Sequence, residues 1–438
     1  MTGLRFAMVT TFYPPYHFGG DAVFIRRLTH ALARRGHRVD VLCDVDAFDV
    51  LRLGERPPPL EEPEGVTLHP LESRFGRLST LATQQTGRPL VHGRRIRSIL
   101  ESTRPDVIYF HNVSLVGGPG ILRYGRALKL YMAHEHWLVC PSHVLWRHGR
   151  ELCTGRQCLR CVLHYRRPPQ IWRYTGLLER ELHHVDAFVS PSAFSAAKHR
   201  ELGFPRDLEV VPYFLPDPDS PHEREEARAG DASDRPYFLF VGRLERIKGL
   251  QDVIPHFGED APADLWVVGT GEFEGALREQ ASGLDRVRFL GPRTPSELRA
   301  LYRRALAVVV PSVCYETFGI ILLEAFREGT PVLARALGPF TEIVEGSGGG
   351  LLFASDAELG RGLRQLAADP ALRERLGESG RRALLERWTE SVVLRQLFAL
   401  IRRVAEARGL TRVLRKLDTL DGADRLDRDR GHPQLEGR

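Results

Sequence analysis

The sequence predicts an α/β protein built in two halves, on three observations. The chain opens as strand, helix, strand. A stretch rich in Pro, Asp, Glu and Arg at 217–235 then interrupts it, and strands and helices alternate again from about Arg235 to Leu352. The first strand is expected over Arg5–Thr11, followed by a loop carrying Pro14-Pro15 and Gly19-Gly20. A helix from about Asp21 to Arg35 comes next, with Asp21 as N-cap and Gly36 as stop. Strands follow at Val39–Cys43, Val107–His111, Leu130–His134, Val185–Ser190 and Glu209–Val211. In the second half the apolar runs Tyr237–Val241, Leu265–Val268 and Ala307–Val310 read as buried strands. A late helix is expected to include Trp388 and to extend to about Ala407. The tail from Thr411 has seven basic and six acidic residues and little apolar period after Leu420, so it is expected to be loosely ordered and dispensable for chemistry.

A length of 438 residues is enough for two or three domains with their own cores. A hydrophobic content of 42% and a charged content of 27% are those of a soluble globular protein. No apolar run approaches the ~20 residues that span a bilayer, and Leu4–Thr10 reads as a buried strand rather than a cleavable signal, so a cytoplasmic location is expected. Arginine pairs recur in the first half, at Arg26-Arg27, Arg34-Arg35, Arg94-Arg95 and Arg166-Arg167. They are read chiefly as solvated helix faces, with peripheral contact to an anionic membrane as the alternative. Nucleic-acid binding is not expected, because acidic residues nearly balance the basic ones and no recognition motif accompanies them.

Chemistry concentrates around Glu316 and Glu324, which flank seven residues that are apolar apart from Thr317 and contain Gly319. The preceding Ala307–Ser312 predicts strand, loop, then helix, with Gly319 near the first turn. Backbone N–H groups at such a start attract phosphate. Glu316 before the helix can reach a group beyond the phosphates, and Glu324 more than one turn inside can reach back toward a ribose. Solvated glutamates on an amphipathic helix are the alternative. A second motif, Tyr237–Gly249, runs a strand into a turn with Arg243 and Lys248, cations suited to a diphosphate. The chain holds 58 arginines and four lysines, and Lys248 is the only lysine between Lys198 and Lys416, which suggests a place where arginine does not serve.

Gly242-Arg243-Leu244 with Lys248-Gly249, followed by Glu316 and Glu324, resembles the donor-binding half of GT4-family retaining glycosyltransferases. Gly269-Thr-Gly271-Glu272, Arg288-Phe-Leu-Gly291-Pro-Arg293, Glu297-Leu298 with Leu301-Tyr302, and Val310-Pro311-Ser312 follow in the family's order. The resemblance implies a GT-B fold, two Rossmann-like doubly wound domains facing across a cleft. Divided on that pattern, residues 1–216 are the acceptor-side domain, 217–235 a linker, 236–385 the nucleotide-sugar domain, 386–408 a helix crossing back, and 409–438 a polar tail. It further implies transfer from a UDP-, GDP- or dTDP-sugar to a carbohydrate, lipid-linked or small-molecule acceptor, in polysaccharide, glycolipid or natural-product biosynthesis.

On that resemblance the departing diphosphate takes the acceptor proton in a front-face attack that needs no metal. Arg243 and Lys248 stabilise the leaving group, as does the helix start at Phe318, Gly319 and Ile320. Glu316 grips the donor sugar and Glu324 the ribose. Gly19 and Gly20 face the donor across the cleft, while Gly271, Glu272 and Arg293 lie toward the nucleotide. His134 aligns with the histidine set near the transferred sugar, where it is expected to hydrogen-bond a hydroxyl or stabilise developing charge; Glu135, His136 and His111 are alternatives. A GT-B epimerase or phosphorylase, or a non-catalytic sugar-nucleotide-binding protein, are the competing readings. Two departures bear on donor choice and the hinge: Val211-Pro-Tyr213-Phe-Leu-Pro216 stands where an Asn-Gly turn is usual, and Leu337-Gly338-Pro-Phe-Thr-Glu342 where a glycine pair is usual.

Four of the six cysteines, Cys140, Cys153, Cys158 and Cys161, fall within 22 residues just beyond His134. In a reducing cytoplasm such clustering points to structural zinc, with His143, His148 and His164 as alternative ligands. An iron–sulfur or redox site and unliganded thiols are the other readings. Cys43 and Cys314 read as small core residues.

Overall fold

A computed structural model describes residues 3–52, 54–155, 157–218 and 235–430. Most of the linker expected at 217–235 and the last residues of the tail lie outside the described residues.

Among the described residues there are fifteen strands: β1 Arg5–Val9, β2 Arg38–Asp44, β3 Val66–Leu71, β4 Val107–Phe110, β5 Leu128–Met132, β6 Trp146–Arg147, β7 Glu151–Leu152, β8 Ala187–Ser190, β9 Leu208–Val210, β10 Tyr237–Val241, β11 Asp264–Val268, β12 Val287–Gly291, β13 Val308–Val310, β14 Val332–Arg335 and β15 Gly350–Phe353. They form a seven-stranded sheet in the order β3-β2-β1-β4-β5-β8-β9, a six-stranded sheet in the order β12-β11-β10-β13-β14-β15, and the hairpin β6-β7. Both large sheets are wholly parallel. These are the two Rossmann-like domains of the GT-B fold.

Successive strand residues point to opposite faces, and both faces are covered, which explains the continuous apolar runs. In β1, Phe6 and Met8 enter one core while Ala7 and Val9 enter another. In β10, Tyr237 and Leu239 face the first of these cores and Phe238 and Phe240 a third. The core that the sheets share also takes Val393, Leu394, Leu397 and Ile401 from the helix Glu390–Ala407. That helix returns to the first sheet: Glu390 pairs with Arg34 and Arg35, and Leu215 N–H donates to the Trp388 carbonyl at 2.9 Å.

In each sheet the strand order reverses once, between β1 and β4 and between β10 and β13. Ligands of open α/β sheets bind outside the carboxyl ends of the strands at such a switch point. Gly19-Gly20 follows β1 and His111 follows β4. Gly242-Arg243 follows β10, and Pro311–Glu316 follows β13.

Several elements differ from expectation. The first helix spans Gly20–Arg34 with Gly19 at the cap, so Asp21 sits in the first turn, favourable to its charge, rather than capping. Trp388 does not lie within a helix: it separates Pro370–Arg387 from Glu390–Ala407 and is buried, its ring 6.5 Å from that of Phe326. β3 is unexpected because Pro70 interrupts it, yet it is an edge strand, where a missing N–H is tolerated. The tail is helical over Thr411–Arg430. Val413 and Leu417 are buried, and Arg412 and Lys416 reach Asp106 at 3.1 and 2.6 Å, so a short apolar stripe and an ion pair order a segment whose composition alone suggests looseness.

Candidate active site

The turn after β10 is bent back onto the loop after β13. Val313 N–H donates to the Ile247 carbonyl (2.9 Å), and Gly249 lies so close that a Cβ there would sit 2.0 Å from Pro311 O; its φ of +74° also suits glycine. This approach places Lys248 Nζ 2.6 Å from Glu316 Oε1. Ser312 Oγ donates to the same oxygen at 3.1 Å. Both charged side chains remain about a quarter exposed, at 23% and 24%, so the pair borders open space rather than being sealed in the core. Burial opposes the charge on each, but the partner prevails: Lys248 is held above its ordinary pKa and Glu316 below its own. Arg243 is more exposed, pairs with Glu245 at 2.5 Å, and adds its field to both Lys248 and Glu316.

Gly319 caps the helix Ile320–Arg327, with Phe318 buried beneath and Ile320 half-buried. Glu324 lies a turn further in, half-buried, and accepts a 2.8 Å hydrogen bond from Tyr302 Oη. The turn after β11 packs against that after β10, and a Cβ on Gly271 would lie 2.3 Å from Leu244 O. Glu272 beside it is exposed. Arg293, half-buried after β12, has its Nη1 3.3 Å from the carbonyl of Pro292. Lys248, Arg243 and Glu316 are thus brought together at one switch point, Glu324 is set deeper beside Tyr302, and Glu272 and Arg293 are carried by the neighbouring strand ends.

Across the cleft, Thr317 Oγ1 donates to the His134 carbonyl at 2.8 Å, and Ser192 Oγ donates to the Thr317 carbonyl at 2.7 Å. The His134 side chain, expected to hydrogen-bond a sugar hydroxyl or stabilise developing charge, already has partners within the protein. It is buried, with Nδ1 2.6 Å from Tyr213 Oη and Nε2 2.8 Å from His111 Nδ1. Burial lowers its pKa to about 4, so it is neutral near pH 7 and offers no positive charge to a developing anion. His111 is likewise buried and held well below its ordinary pKa by desolvation, then by His134. His136 is buried with its ring 5.2 Å from that of His199, and Glu135 Oε2 is 2.7 Å from His143 Nδ1. Gly19 and Gly20 open the adjacent helix, and Asp21 beside them acts electrostatically on His134.

Two family models together match nearly the whole chain: glycosyl transferase 4-like domain matches residues 19–213, and glycosyl transferases group 1 matches residues 222–383. The chain belongs to the GT4-type glycosyltransferases. As a member it is a sugar-transferring enzyme of the EC 2.4 class. Glycogen synthase of Mycobacterium tuberculosis is 29% identical over 408 residues, covering 87% of this glycosyltransferase and 90% of that relative. Sucrose-phosphate synthase of Thermosynechococcus elongatus has the same fold, with a TM-score of 0.68 at 21% identity over 92% of this chain and all of that one. HepE of Anabaena, solved with UDP-glucose, superposes with a TM-score of 0.62 at 17% identity over 91% of this chain and all of that one.

The sequence does not single out Tyr302, Thr317, Ser192 and Tyr213 as partners of site residues. The distance along the chain from Tyr213 to His134, and from Ser192 to Thr317, leaves no local signal. Glu342 is a further case: its carboxylate accepts from the Ala193 and Phe194 N–H groups at 3.1 and 2.9 Å, capping a helix of the opposite domain. Asp44, Asp46 and His92 are the one group of three metal-capable side chains, among the described residues, whose donor atoms lie within 4.8 Å of one another. Local structure already uses them: Asp44 caps the helix Val45–Leu51 through Ala47 N–H, and Asp46 accepts from Ser73 and sits 3.0 Å from His92 Nε2. No helix among the described residues is long and apolar enough to cross a membrane.

Proposed function

We propose that this glycosyltransferase moves a sugar from a nucleoside-diphosphate donor to an acceptor hydroxyl with retention of configuration and without a catalytic metal. The Lys248–Glu316 pair at a strand-order reversal carries the reading. An ammonium and a carboxylate 2.6 Å apart, both reachable from solvent, offer one end to a diphosphate and the other to sugar hydroxyls. Negative charge grows on the leaving diphosphate as the glycosidic bond breaks. Lys248, Arg243 and the N–H groups beginning at Phe318–Ile320 meet it there, and fixed donors of this kind stabilise a transition state more than a ground state. Glu324, steadied by Tyr302, holds the ribose, with Gly271, Glu272 and Arg293 toward the base.

Gly19 and Gly20 admit the donor from the opposite domain. His134 acts there as a neutral wall, its carbonyl engaged by Thr317 and its ring by Tyr213. No carboxylate need attack the sugar, because the leaving phosphate can take the acceptor proton on the same face. UDP-glucose bound by HepE supports a nucleotide-sugar donor for a chain of this fold. The test is a screen of UDP-, GDP- and dTDP-sugars without added Mg²⁺ or Mn²⁺, with the product's anomeric configuration read by proton NMR. An α-linked product from an α-linked donor is expected. Inversion, or transfer only with added divalent metal, contradicts the reading.

A further inference from the structure

The described residues from 135 to 170 carry little regular structure. Their regular structure is a short turn at His136–Leu138, the two-residue strands of the β6-β7 hairpin and the seven-residue helix Cys158–His164. Among the described residues, five non-glycine positions have positive φ, and four are here: His143 (75°), Leu145 (48°), His148 (52°) and Arg166 (53°). Each such conformation costs of order 1 kcal/mol and persists only where surroundings impose it.

Apolar packing accounts for part of this, since Leu145 and Trp146 are buried. The helix is turned with Cys161 and Val162 inward, while Leu159 and Leu163 are 50% and 57% exposed. A helix held by the hydrophobic effect alone faces its leucines inward; here one thiol and one valine form the inward face. Cys161 Sγ accepts the His148 backbone N–H at 3.4 Å, and Cys153 N–H donates to the Leu145 carbonyl at 2.8 Å, so helix and hairpin are joined at their cysteines. Cys140 and Cys161 are both close enough to act on the Cys153 thiol. No disulfide links the cysteines among the described residues.

A neighbouring half-buried cation adds a second sign. Arg173 is sandwiched by Trp137 and Trp172, its guanidinium carbon 5.4 and 4.4 Å from their ring centroids, and it donates to the Trp137 carbonyl and to Gln170. Among the described residues it makes no salt bridge; Cys140 and Cys158 act on its charge ahead of Tyr131 and the Glu135 carboxylate. A guanidinium so placed favours the thiolate form of nearby cysteines.

We propose that Cys140, Cys153, Cys158 and Cys161 bind one structural Zn²⁺ as thiolates. Zinc with four thiolates carries two negative charges, which the Arg173 guanidinium would face. Each thiol releases its proton to solvent on ligation, with no change in oxidation state. The four sulfurs stand apart, no three of them within 4.8 Å of one another, so ligation requires them to converge. Rotation about χ1 moves a cysteine sulfur by about 3 Å with the backbone fixed. The ion would pin the loop following His134, independently of how the donor is bound.

The test is metal analysis of the purified full-length protein, with X-ray absorption at the zinc edge. About one zinc per chain is expected, in a shell of sulfur at about 2.3 Å, released only when thiols are blocked with an organomercurial. The paired change Cys158→Ser with Cys161→Ser should abolish zinc retention. A folded, zinc-free protein with four reactive thiols overturns the proposal, as does iron with visible absorption in place of zinc. Zinc in a nitrogen and oxygen shell, or retained in the paired variant, overturns the ligand set. If the variant does not fold, the absorption shell of the parent protein decides.

Discussion

Lys248 Nζ lies 2.6 Å from Glu316 Oε1 although 68 residues separate them in the chain, because Gly249 allows the turn after β10 to touch the loop after β13. The contact explains why lysine stands here in an arginine-rich chain. A compact ammonium fits beside Glu316 and Ser312, whereas a planar guanidinium is broader and its fork points differently. Lys248→Arg should therefore keep the positive charge and still lose about 10–10²-fold in kcat, since about 1.4 kcal/mol corresponds to each factor of ten. Steady-state transfer with circular dichroism as a folding control checks it.

Tyr302 fixes Glu324 by a single 2.8 Å hydrogen bond. Tyr302→Phe removes one such bond, a change of about 1 kcal/mol. On the proposed role of Glu324, the ribose is held alike in ground and transition states, so the donor KM should rise about fivefold with kcat nearly unchanged. Donor-dependent kinetics of the variant test this; a fall in kcat at constant KM would place Glu324 nearer the reacting bond.

The carboxylate of Glu342 caps the helix Ala193–Glu201 across the cleft, beside the Ser192–Thr317–His134 chain of hydrogen bonds. Glu342→Ala removes the cap, worth about 1 kcal/mol, and loosens one of the ties between the domains. Faster amide exchange at 193–196 and a larger radius of gyration by small-angle scattering are expected. Thr317→Val should act in the same direction.

Burial raises the Asp44 carboxyl from 3.8 to about 7, with Ala47 N–H opposing and Asp46 adding to the rise. A raised folded-state pKa gives stability that is full below the unfolded value and lost as pH rises through the folded value. The contribution should therefore fall between about pH 4 and pH 7. Asp44→Asn keeps an oxygen for the cap and removes the charge, so its melting temperature should exceed the parent's at about pH 8 and the gap should close by about pH 4. Thermal melts across that range measure it.

Local patterns made much of this fold legible. Apolar runs marked most of the strands of both sheets, and Gly-Arg-Leu with Lys-Gly and the spaced glutamates marked the turns that meet at the switch point. Features made by distant contacts were not legible. The occupied state of the His134 ring depends on Tyr213 and His111, and no spacing rule links them. β3 was hidden by Pro70, whose tolerance depends on edge position, and the terminal helix by charges that pair with Asp106 far earlier in the chain. Glu342 appeared only as a departure from a glycine pattern, and its capping role needed the facing helix to be in view.

Lys248 and Glu316 together form the proposed donor site. Sugar transfer from the preferred nucleotide donor, measured for Lys248→Ala and Glu316→Ala in folded protein, tests it most directly. A loss of about 10²–10³-fold in kcat is expected for each, and transfer at the parent's rate in both variants would contradict it.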